Sequence, residues 1–87
     1  MARTRTENIA YAKSQQVTAD GCYAISFFRP SSAPAVQVEG IDIEAGQTLS
    51  IKQNVGDEDW SSYELRFANN QDNTNVLHVI KIMPITN

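Results

Sequence analysis

The feature that most constrains this chain is its period. From Tyr23 onward, large apolar side chains recur at every second position, in short runs broken by turn-forming residues. Side chains on a β-strand alternate between two faces, so this spacing builds a half-buried strand. No segment holds the helical period of about 3.6 residues over more than two turns.

The runs follow one another closely. Asp20-Gly21 is a turn signal, and Tyr23, Ile25 and Phe27 then share one face of a strand. Pro30 and Pro34 bracket a loop, because proline lacks an N–H and restrains its predecessor. Val36 and Val38, Ile41 and Ile43, and Leu49 and Ile51 alternate with polar residues around turns at Gly40 and Ala45-Gly46-Gln47. This pattern predicts an antiparallel meander over 35–51. Tyr63, Leu65 and Phe67 alternate strictly, and a loop of turn formers spans Asn69–Asn75. Val76–Met83 is nearly continuous in apolar residues, which places that strand in the middle of a sheet, and Pro84 ends it. The expectation is an all-β fold: a small antiparallel β-sandwich or barrel of five to six short strands.

Residues 1–18 differ from the rest. Ile9, Tyr11 and Val17 are their only sizeable apolar groups. A short helix over Glu7–Gln16, capped by Thr6, would have a poor apolar face, so an extended segment is favoured. Charge divides at the same place. Residues 1–13 carry a net +2 and the remainder −5, within a total of −3. The sequence therefore predicts an extended basic N-terminal arm (1–18) that orders on docking, followed by a β-sandwich domain (19–87).

With 87 residues, such a domain buries only about 60–65% of the surface its unfolded chain exposes. A core this thin points toward self-association. The single cysteine, Cys22, excludes an intrachain disulfide and reads as a small buried hydrophobe. No stretch reaches the roughly 20 apolar residues of a membrane span, and the N-terminus lacks the apolar run of a signal peptide. These points favour a chain kept inside the cell or assembled into a particle.

Candidate sites are few. Asn54, Asp57 and Asp59 supply oxygens suited to calcium, but their spacing is not that of an EF-hand, and a solvated turn whose carboxylates accept N–H bonds fits the 56–59 loop better. Trp60 and Tyr63 suit either a stacking platform for a sugar or base, or a core or subunit contact. His78 has no catalytic partner in the pattern and reads as a hydrogen-bonded sheet or interface histidine. Arg3 and Arg5 suit a phosphate or an acidic neighbour; two arginines on an acidic body make nucleic-acid binding a minor prospect. The sequence thus predicts no enzyme and no cofactor or metal. It predicts a partner-docking set of Arg3, Arg5, Tyr11, Phe28 and Trp60, with Ile82 also spare for an interface.

The stretch Val38–Asn54 with its Ala45-Gly46-Gln47 turn, then Gly56-Asp57, Tyr63–Phe67 and the C-terminal apolar strand, resembles small all-β bacteriophage virion proteins. The resemblance spans about residues 36–83. It implies a structural protein of capsid decoration, vertex or spike type, assembled into the virion in the host cytoplasm, that self-associates and docks on a major capsid protein. The same turn also occurs in carbohydrate-binding modules, so a glycan-binding sandwich using Trp60, Tyr63 and the acidic loop is the alternative.

Overall fold

The computed structural model describes residues 4–54 and 57–85. It contains eight strands: β1 (Thr4–Tyr11), β2 (Gln15–Thr18), β3 (Ala24–Phe28), β4 (Val36–Val38), β5 (Ile41–Ile43), β6 (Thr48–Lys52), β7 (Ser62–Phe67) and β8 (Leu77–Pro84). They form two four-stranded antiparallel sheets packed as a sandwich, not a closed barrel. The first sheet runs β1-β8-β3-β6 and the second β2-β7-β4-β5.

The two faces meet where alternation predicts. Ile25, Phe27, Leu77, Val79 and Met83 of the first sheet pack on Val17, Val36, Val38, Ile43, Leu65 and Phe67 of the second. Phe27 and Tyr63 meet edge to face across the layers, with centroids 5.6 Å apart and an interplanar angle of 64°. Such a pair adds about 0.5–1.5 kcal/mol beyond its area burial. Leu49 and Ile51 are half-buried against this core. Tyr23 is only half-buried, Ile41 is exposed, and Ile80 faces outward while its neighbour Val79 faces in. Because β8 sits between β1 and β3, its outward residues are shielded by two neighbouring strands, which accounts for its nearly continuous apolar sequence.

Turn chemistry sets the connections. Asp20 and Gly21 have φ of 56° and 80°, and Glu39 and Gly40 have 51° and 78°. Two successive positive φ values make tight turns whose twist matches that of antiparallel strands. Glu39-Gly40 accordingly joins β4 to β5 as a two-residue hairpin, with Val38 opposite Ile41.

The meander stops there. Gln47 N–H donates to the Glu44 carbonyl at 2.9 Å around Gly46, at φ 78°. This turn carries β6 across to the first sheet, where it pairs with β3 rather than β5. Arg29 fixes the crossing. Its guanidinium donates to the carbonyls of Ala33 and Ile43, and its backbone exchanges bonds with Gln47 and Gly46.

The N-terminal segment is not a separate arm. Residues 4–11 pair with all of β8, from Thr4 opposite Pro84 to Tyr11 opposite Leu77. Residues 15–18 pair with β7 and bury Val17 in the core. Between them, Lys13 and Ser14 bond to Asn70, and the Ser14 hydroxyl accepts from Phe67 N–H. The segment thus supplies an edge strand to each sheet, raising the strand count from the expected five or six to eight. Edge strands face solvent over much of their surface, so their sequence can stay polar.

Candidate functional site

Two surfaces and one end of the sandwich concentrate the informative residues. The outward face of the first sheet consists of cross-strand rows fixed by the register. They are Thr6–Ile82–Ala24–Lys52, Asn8–Ile80–Ser26–Ser50 and Ala10–His78–Phe28–Thr48. Lys52 is the single Lys, Arg, Asp or Glu among these twelve positions. Ile80, Ile82, His78 and Phe28 form a half-buried central stripe. Phe28 and His78 stack at a centroid distance of 6.1 Å and an angle of 27°.

The outward face of the second sheet is different. It presents Gln16, Thr18, Gln37, Asp42, Ser62, Glu64 and Arg66. Gln37 donates to Asp42 at 2.8 Å, and Arg66 pairs with Glu64 at 3.1 Å. Gln37, Asp42 and Arg66 line a shallow groove of about 210 Å³ with no aromatic side chain besides Phe67. One sheet therefore meets solvent through charge, and the other through a surface with one charged residue, Lys52, and an apolar stripe.

The end of the sandwich holds an ionisable cluster. Asp59 N–H donates to the Cys22 carbonyl, and Gly21 N–H to the Asp59 carbonyl, both at 2.8 Å. This bridge turns Asp59 inward, where it is 4% exposed. Its carboxylate accepts from Ser61 N–H and from the Tyr63 hydroxyl. Burial pushes the Asp59 carboxyl up, but these hydrogen bonds outweigh it and hold the group below its ordinary value. Burial first, and then the adjacent carboxylate, push the Tyr63 hydroxyl up to about 12.

Nearby, Lys81 lies on the inner face with only 4% of its surface exposed, and its Nζ donates to Asp20 Oδ2 at 3.2 Å. Hydrogen bonds from Thr18 and then Lys81 lower the Asp20 carboxyl. Cys22 is fully buried beside this cluster, as its reading as a small hydrophobe expects.

The proposed docking residues scatter. Arg3 lies outside the described residues. Arg5 sits on β1 in an ion pair with Glu7. Tyr11, at the far end of β1, is half-buried against the core. Phe28 belongs to the outward face of the first sheet. Trp60 is 73% exposed and is no lid on the core; its ring lies over Gly21. Tyr63 points into the core with its hydroxyl on Asp59, so it does not share a stacking platform with Trp60. In the acidic loop, Asp57 and Glu58 are exposed while Asp59 is turned inward, and Gly56 lies outside the described residues. No group of three or more His, Cys, Asp or Glu suited to holding a metal ion occurs among the described residues, and no helix there is long and apolar enough to cross a membrane.

Sequence reasoning missed β1 as a paired strand and the inward turn of Asp59. The only signal for β1 was the alternation of Ile9 and Tyr11. Nothing in the sequence distinguishes Asp59 from Asp57 and Glu58. Comparison with family models, with curated proteins and with solved structures finds no match. What the fold defines is a class, the two-sheet antiparallel β-sandwich.

Proposed function

We propose that this protein is a non-enzymatic structural component that works by surface complementarity, through self-association and docking on another protein. The carrying observation is the contrast between the two outward faces. The first sheet offers a surface with one charged residue in twelve positions and a stripe of Ile80, Ile82, His78 and Phe28. Depletion of charge and enrichment in aromatic and aliphatic groups mark the buried centre of protein interfaces. The charged second face suits permanent exposure.

The resemblance of residues 36–83 to small phage virion proteins makes the proposal specific: a capsid decoration, vertex or spike component whose partners are its own copies and a major capsid protein. Mass spectrometry of intact, gradient-purified particles tests the virion assignment. Peptides of this chain at structural stoichiometry are expected, and their absence overturns the assignment. Size exclusion with light scattering tests self-association. An oligomer whose share rises with protein concentration is expected, and a monomer at every concentration overturns that part.

A further inference from the structure

The four sheet edges are not equally protected. β5 has three residues, β2 has four, and β6 has five and ends in Lys52. Short strands and edge lysines are the usual means of blocking strand addition. β1 has eight residues in an unbroken register with β8, with no bulge, proline or lysine. Its opposite side pairs with nothing among the described residues. Its two charges, Arg5 and Glu7, lie on the inner-face side of the strand with Ile9, which is 44% exposed; inward charges oppose strand addition when they are of one sign, and these two are of opposite sign and paired with each other. An edge so long carries a row of backbone donors and acceptors that a second strand can satisfy.

We propose that the free edge of β1 joins two copies of this chain, the two β1 strands running antiparallel about a twofold axis at Thr6. The proposal rests on the self-association reading above and specifies its contact. The register follows from charge. A twofold axis perpendicular to the sheet pairs residues of like parity, so the centre falls on a single residue. Centring on Glu7 sets Glu7 against Glu7 of the partner, and centring on Arg5 sets arginine against arginine. Centring on Asn8 leaves Arg5 facing Tyr11 of the partner and Glu7 facing Ile9 of the partner.

Centring on Thr6 places each Arg5 opposite Glu7 of the partner, twice, with the two Thr6 residues face to face and Thr4 opposite Asn8 of the partner. Opposite charges directly across a strand pair stabilise it and like charges oppose it. Each arginine then lies between its own Glu7 and that of the partner, closing a ring of alternating sign. The result is one continuous eight-stranded sheet across two protomers.

Cysteine cross-linking tests this directly. In this register the Cα atoms of the two Thr6 residues are about 5 Å apart, within reach of a disulfide. Those of the two Asn8 residues are offset by four residues along the strands, about 14 Å apart, and out of reach. T6C is expected to form a covalent dimer on mild oxidation at least about tenfold faster than N8C, a control on the same face and strand. Native Cys22 is fully buried and does not compete.

In the same assay series, R5E or E7R alone is expected to weaken dimerisation about tenfold, and the double swap R5E/E7R to restore it. Circular dichroism melting confirms that each variant is folded; R5E reads the interface even if T6C does not fold, and because Glu7 lies opposite Lys81 of β8, the double swap is compared with E7R, which carries the same arginine there. Equal cross-linking of T6C and N8C, no cross-link in folded T6C, or a double swap no better than the singles overturns the proposal. If the native chain is an oligomer under any of these outcomes, the edge contact fails and the self-association reading stands. If the native chain is a monomer and T6C does not cross-link, both fail.

Discussion

Replacing Tyr63 by phenylalanine isolates one interaction with little else disturbed. The ring stays edge to face with Phe27 and keeps its place in the core. Only the hydroxyl that donates to Asp59 is lost. A hydrogen bond to a charged group contributes about 1.5–3 kcal/mol. Burial first, and the Asp59 hydrogen bond second, push the Tyr63 hydroxyl from its ordinary value of 10 up to about 12, so the shift sets the pH at which this contribution fades rather than its size.

The signs differ at the two ends of the pH scale. Tyr63 has a raised folded pKa, so its contribution is full below pH 10 and is lost as pH rises from 10 through about 12. Asp59 has a lowered folded pKa, so its contribution is present above its ordinary value of 3.8 and is lost as pH falls through the folded value. The stability gap between wild type and Y63F is therefore a plateau of about 1.5–3 kcal/mol across neutral pH that closes on both flanks. For a domain of this size the plateau corresponds to a Tm lower by about 6–24 °C. Urea denaturation followed by circular dichroism from strongly acid to strongly alkaline pH measures it. A gap below about 0.5 kcal/mol at pH 7, or one that stays constant through both flanks, refutes the reasoning.

Two further outcomes follow from the same end of the molecule. G21A places a methyl group 2.7 Å from the Trp60 ring at a φ of 80°; because Trp60 is largely exposed, the ring swings aside, so a loss of about 1–2 kcal/mol with a red-shifted emission from this single tryptophan is expected, and unchanged emission counts against the contact. D20N keeps a residue type tolerated at a φ of 56° but leaves the Lys81 ammonium without its carboxylate; a loss of about 1 kcal/mol in thermal denaturation is expected, discounted because Asp20 is 58% exposed, and adding K81M to D20N should recover most of it.

The strands that carry the core were legible because burial on one face forces alternation. Ile25 and Phe27, Val36 and Val38, and Leu65 and Phe67 are all found where the period places them. The central position of β8 was legible for a related reason, since only a strand flanked on both sides keeps apolar residues on both faces. β1 was not legible because its inward-facing Arg5 and Ile9 remain exposed, and no selection for alternation acts on side chains that stay wet. β6 was legible as a strand but not in its partner. The Ala45-Gly46 turn looks the same locally whether the next strand folds back or crosses, and the choice is made by Arg29 and β3, distant in sequence. Lys81 breaks the apolar inner row of β8, and only the fold shows that its amine reaches Asp20 at the rim.

The two proposed contacts act in perpendicular directions and do not compete. Pairing through β1 uses backbone groups in the plane of the first sheet, whereas docking through its outward face uses side chains normal to that plane. Joining two copies at Thr6 also brings the rows ending in Thr6 and Asn8 alongside those of the partner, doubling a charge-poor surface whose positions along the joined edge are Thr4, Thr6, Asn8 and Ala10. A five-residue strand pair alone falls below the roughly 1,200 Å² of a stable standard interface, so the edge contact is weak in dilute solution. Once two joined copies meet a partner surface, the second contact becomes intramolecular, and affinity rises through effective concentration without any new interaction. An 87-residue sandwich with a thin core is therefore suited to assembling on a surface that presents many identical sites, while remaining weakly associated away from it.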